Sequence, residues 1–198
     1  ELGALAINAG AVAGIGHIAR RRGGTPLLLF AMLGCALLVR SLGGGFTASY
    51  WNLHITTLPF ALLVMLVWAM MCGDRWALPA AAVAATFLAQ THVGFVPVAL
   101  GLFGVGLAAQ VVLAAVGAGR RTGADTTRVR AMARGLRPLA VPAAATAGLL
   151  ALLWAPPVID VLTNEPSNLG RTLAWFRAAD EGVHTFGEGW RIVSAQFG

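Results

Sequence analysis

Few side chains in this sequence are suited to chemistry, and those few are unevenly spaced. Gln90-Thr91-His92 is the only strongly polar interruption between Trp76 and Val116, and Tyr50-Trp51-Asn52-Leu53-His54 opens the apolar stretch before it. Arg40 stands near the far end of another apolar stretch. Amide and imidazole groups hydrogen-bond polar substrates, and a guanidinium holds a phosphate through paired N–H donors. Each residue also has a plainer use. His92 can close a turn, Asn52 and His54 can cap a helix start behind an interfacial Trp51, and Arg40 can stretch along apolar surface toward the lipid headgroups.

The sequence contains no G-x-S-x-G elbow, no H-E-x-x-H, no phosphate-binding glycine loop and no Cys/His pair with a supporting acid. With the topology set out below, the acids able to act as an external general base are Glu1, Asp160, Glu165, Asp180, Glu181 and Glu188. None is paired with a second carboxylate inside an apolar stretch, so no catalytic residue is assigned. Cys35 and Cys72 lie within or at the end of apolar stretches and read as small buried hydrophobes. No Cys or His spacing suits a metal, no cofactor follows from these residues, and a divalent cation is neither required nor placed by them.

The elements that must position these groups are membrane helices. Hydrophobic residues make up 58% of the chain and charged ones 11%, against about 25% charged in a soluble domain. Mean hydropathy is +0.75. All basic residues are arginines, and with the Ala and Gly bias this suggests a high-GC bacterial source. The high isoelectric point, about 11.2, does not indicate a nucleic-acid partner, because most of the arginines sit in short loops between apolar spans, as the positive-inside rule requires. The expected partner is the lipid bilayer of a bacterial plasma membrane.

An all-α, polytopic bundle of about six spans is predicted over residues 1–160, at about 2–19, 26–42, 55–72, 77–90, 93–116 and 139–159. Gly10 and Gly14 in the first span have the spacing that lets helices approach closely, and Pro97, Gly101, Gly104 and Gly106 predict a kinked, tightly packed fifth span. Arg20-Arg21-Arg22, the Gly73-Asp74-Arg75-Trp76 turn and the basic loop 117–137 are expected on the cytoplasmic side. Arg40, Asn52, His54, Gln90 and His92 then share the opposite face. Residues 161–198 are expected to be extracytoplasmic, with Ser167 capping an interfacial helix that repeats Leu169, Leu173 and Phe176. The sequence opens on Glu1 within an apolar run and stops in a polar stretch, which predicts an internal fragment of a longer protein.

Several runs together resemble a known family. Trp51-Asn52-x-His54 leads into Leu58-Pro59-Phe60, then come Gly73-Asp74, Gln90-Thr91-His92-Val93-Gly94, and Trp154-Ala155-Pro156-Pro157-Val158-Ile159-Asp160 with Pro166-Ser167-Asn168-Leu169. This series resembles the middle of an actinobacterial multi-pass protein of the GT-C glycosyltransferase superfamily, in its bacterial mannosyltransferase-like (PMT-type) branch. The resemblance implies a polyprenyl-phosphate-linked sugar as donor, chemistry on the extracytoplasmic face, and an acidic general base in a first external loop that would precede Glu1. It also implies that Gln90 and His92, with Asn52 and His54, line the cavity while Arg40 offsets the phosphate charge. Two alternatives stand beside it: a multi-pass transporter or flippase, which would place strongly polar residues near mid-span, and a non-catalytic membrane subunit.

Overall fold

The computed structural model describes residues 1–43, 45–119, 135–178 and 185–195, and among these the fold is all-helical, with no strand. The helices are α1 (Leu2–Leu42), α2 (Asn52–Met71), α3 (Ala77–Thr91), α4 (Phe95–Gly119), α5 (Ala140–Thr163), α6 (Asn168–Ala178) and α7 (Phe186–Ser194), with short 3₁₀ turns at Phe46–Ala48 and Arg137–Leu139. Residues 120–134 of the predicted basic loop, and Asp180 and Glu181, lie outside the described residues.

Helix α1 would be about 62 Å long if straight, but it is folded in two. Gly24 has φ 64° and ψ −155°, a backbone conformation that is essentially glycine-only. Pro26 follows, at the start of a new helical limb where its missing N–H is least harmful. The limbs 2–23 and 25–42 then run back along each other. Gly16 lies close to Leu28 and Met32, where an added Cβ would come within 3.4 Å of each side chain. At the open end of this hairpin, Asn8 Nδ2 donates to the Thr47 carbonyl at 3.0 Å.

Helix α2 is central, packing against α1, α3 and α4. Its Leu63, Leu66, Val67 and Met70 meet Leu78, Ala81, Ala84, Ala85 and Leu88 of α3, with Ala99 of α4 and Ile18 of α1. The alanines on α3 let the backbones approach closely, which is how helices gain contact where no hydrophobic force separates protein from lipid. Gly106 of α4 packs on the Met70 sulfur, and Gln110 Nε2 donates to the Met70 carbonyl at 2.6 Å. That bond adds to the one from the Gly73 N–H, at 2.8 Å, on a carbonyl of the last turn of α2. A second buried cluster, Ala11, Phe46 and Leu58, seals the Phe46–Ala48 turn against the hairpin.

Four helices are long and apolar enough to cross a membrane: Leu2–Leu42, Asn52–Met71, Phe95–Gly117 and Arg137–Thr163. The expected layout of about six counts two segments more. Leu2–Leu42 holds two helical limbs, 2–23 and 25–42, that meet at the non-helical Gly24, and it is a single stretch in the count of four. Helix α3 has 15 residues and reaches about 22 Å, short of the roughly 30 Å hydrocarbon layer.

Other expectations shift locally. Helix α2 starts at Asn52 and not near residue 55, so Pro59 lies beyond the first turn and leaves the Ile55 carbonyl without its helical donor. Pro97 falls in the first turn of α4, where it breaks no internal bond. Helix α5 continues through Pro156-Pro157 to Thr163. Of the expected close-approach glycines, Gly14 faces Leu62 of α2 and Gly106 faces Met70, while Gly10, Gly101 and Gly104 face open space.

The chain divides into two compact units, Glu1–Leu153 and Trp154–Gly198. Within the second, Ser167 Oγ accepts from the Gly170 N–H at 3.1 Å, so the predicted cap on α6 is present. Asp160 accepts from Asn164 Nδ2 at 2.8 Å and from the Asn168 N–H at 2.7 Å, joining the end of α5 to the start of α6.

Candidate functional site

Three antiparallel helices joined by short turns bring the start of α2, the end of α3 and the start of α4 to one end of the first unit. The second limb of α1 ends there too, tied in by Asn8 and Thr47. Arg40, Asn52, His54, Gln90 and His92 therefore share one end of the bundle. An apolar groove of about 650 Å³ is lined by Val12, Met32, Cys35, Ala36, Val39, Arg40 and Gly43. Arg40 is the only one of the five candidates on its wall.

Arg40 is exposed and makes no ion pair with any described acid, Glu1 included. No acid occurs between Gly43 and His54 or between Gln90 and Gly94. A cation is thus set at the end of an apolar groove with no counter-charge among the described residues, and an amphiphilic anion would match both features.

The other four candidates already have local roles. His92 Nδ1 accepts from the Gly94 N–H at 3.0 Å and its ring stands edge-on to Phe95, so it closes the α3–α4 turn. With Nδ1 accepting, the neutral ring carries its proton on Nε2, leaving one donor for a ligand. Gln90 Nε2 donates to the Leu153 carbonyl at 3.0 Å and fixes α3 to α5. Asn52 is exposed at the first position of α2 and caps nothing. The capping position is Trp51, whose N–H is taken by Ser49 Oγ at 3.3 Å.

His54 is wedged between Phe46 and Trp51, with ring centroids 5.3 and 4.8 Å away. Its Nδ1 is buried without a hydrogen-bond partner among the described residues, as is Oδ1 of Asn8. Asn8, 1% exposed, sends its one described bond to the Phe46–Ala48 turn. Sequence reasoning also missed α7. Thr185 and Glu188 form a capping box there, and Phe186, Trp190 and Val193 fall on one exposed stripe. The T-x-x-E spacing was the available signal.

No acid lines the groove. Within the second unit, Asp160 is committed to Asn164 and Asn168 and Glu188 to the α7 cap. Among the described residues no group of His, Cys, Asp and Glu could hold a metal. The chain matches no family model, no curated protein and no solved structure.

Proposed function

We propose that this chain belongs to a polytopic membrane glycosyltransferase, resembling the GT-C enzymes, that takes a sugar from a polyprenyl-phosphate donor on the extracytoplasmic face of a bacterial plasma membrane. The observation that carries this is the apolar groove ending at Arg40. An isoprenoid chain fits an apolar groove, and a phosphate at its head meets a guanidinium suited to paired, charge-assisted hydrogen bonds.

In such a transfer the bond between the sugar's anomeric carbon and the phosphate oxygen breaks, and polyprenyl phosphate leaves with the electron pair. The acceptor hydroxyl forms the new bond and gives its proton to a base, a role assigned to no residue of this chain. Arg40 stabilises the charge that grows on the departing phosphate. His92 Nε2, the amide of Gln90 and the exposed Asn52 offer hydrogen bonds to the sugar, while His54 holds the aromatic packing behind them. With both limbs of α1 and the short α3 counted as crossings, the layout has six spans, Arg20–Arg22 and Asp74 cytoplasmic, and residues 161–198 extracytoplasmic.

The test is release of polyprenyl phosphate from a lipid-linked sugar by the purified protein in lipid. Release that falls on Arg40→Gln at unchanged protein level supports the proposal. Movement of the lipid-linked sugar between leaflets without bond cleavage would replace it with a flippase. Neither activity would leave a non-catalytic membrane subunit.

A further inference from the structure

At the opposite end of the first unit, two turns meet that are about 50 residues apart in sequence. Arg21 and Arg22 come from the bend of α1, and Gly73, Asp74, Arg75 and Trp76 from the turn between α2 and α3; together they line a cavity of about 290 Å³. Asp74, its side chain 13% exposed, organises it. Its Oδ2 lies 3.4 Å from Arg21 Nη1 and 3.1 Å from Arg22 Nη2, and its Oδ1 accepts from the Trp76 N–H at 3.1 Å. Arg22 also donates to the carbonyls of Ala69 and Cys72, which closes the C-terminus of α2. Arg22 is thereby largely used up.

Arg21 and Arg75 are not. Arg21 keeps most of its donors, with its side chain 59% exposed, and Arg75 is exposed with no ion pair among the described residues. Three guanidiniums therefore face one carboxylate, and that carboxylate holds two of them in place without neutralising the third. The surroundings are apolar and aromatic: Trp68 and Met71 on the last turn of α2 and Trp76 at the start of α3 are exposed. Basic pockets between membrane helices, rimmed by interfacial Trp, are suited to anionic lipid headgroups.

We infer that this cavity binds the phosphodiester headgroup of an anionic phospholipid, with Arg21 and Arg75 as its ligands and Asp74 as a positioning residue. Bound there, the headgroup bridges the α1 bend to the α2–α3 turn. The site needs membrane insertion and is independent of any sugar transfer, so it stands if the Arg40 groove proves to do something else.

The experiment is thermal unfolding of the purified chain in neutral detergent, titrated separately with phosphatidylglycerol, phosphatidylcholine and inorganic phosphate. Phosphatidylglycerol is expected to raise the Tm saturably while phosphatidylcholine does not. With about 1 kcal/mol per basic residue near a lipid surface, Arg75→Gln should weaken the apparent affinity about fivefold, and Arg21→Gln with Arg75→Gln about thirtyfold. Equal shifts with phosphatidylcholine, or an undiminished response in the double variant, would overturn the site. A shift reproduced by inorganic phosphate alone would make this a free-anion site and overturn the lipid assignment.

Discussion

The two ends of the first unit keep their arginines in opposite company. At the α1 bend, Arg21 and Arg22 share Asp74, so one carboxylate of the α2–α3 turn gathers two charges of the bend. At the other end Arg40 has no ion pair among the described residues, and an apolar groove runs up to it. The difference shows how surroundings divide the work of one residue type. An arginine with a carboxylate and helix carbonyls within reach holds the fold together. One that ends an apolar groove keeps its donors free of the helix carbonyls. The two proposals accordingly assign a lipid headgroup to one end and a lipid-linked phosphate to the other.

The largest effect expected is at the groove. Arg40→Gln should lower sugar transfer about a hundredfold, the loss of one charge-assisted contact worth roughly 2.7 kcal/mol in the transition state. Arg40→Lys should recover part of it, and transfer rates at saturating donor would measure both. If Arg40→Gln leaves the rate intact, Arg40 has no part in transfer and the groove does not hold the donor phosphate.

Next is the bend on which both ends depend. Gly24→Val forces a branched side chain into a glycine-only conformation and should destabilise the unit by about 2 kcal/mol, read as earlier unfolding in denaturant. Unchanged stability would mean that the hairpin does not turn at Gly24.

His92→Ala should reduce transfer about tenfold if Nε2 reaches the sugar, or roughly 1.4 kcal/mol. A loss of stability without loss of specific activity would confine His92 to the turn that it closes. The smallest effect is at the bend side. Asp74→Asn should cost about 1 kcal/mol, because Arg21 is well exposed and water screens its share of the pairing. Transfer should be unaffected, which sharpens the contrast with Arg40.

The breaks in the chain were legible in the sequence because polar or conformationally special residues interrupt long apolar runs. Gly23-Gly24 before Pro26, Gly73-Asp74 and Gln90-Thr91-His92 all fall where the structure turns. Helix ends were less legible. The sixth span is expected to end at residue 159, yet α5 runs on to Thr163, and the start of α2 moves back to Asn52.

The contacts between distant segments were not legible at all. Nothing in the spacing of Asn8 and Thr47, or of Arg22 and Asp74, marks them as partners, because such pairs depend on how the helices pack and carry no sequence period. That Arg40 alone of the five candidates faces the groove is a matter of which side of its helix it occupies, and packing decides that.

The most direct test of the central claim is equilibrium binding of a polyprenyl phosphate to the purified protein, set against the same polyprenol without its phosphate. Saturable binding of the phosphate form, weak binding of the alcohol and at least a tenfold loss in Arg40→Gln are predicted. Equal affinity for both lipids, or binding indifferent to Arg40→Gln, would contradict it.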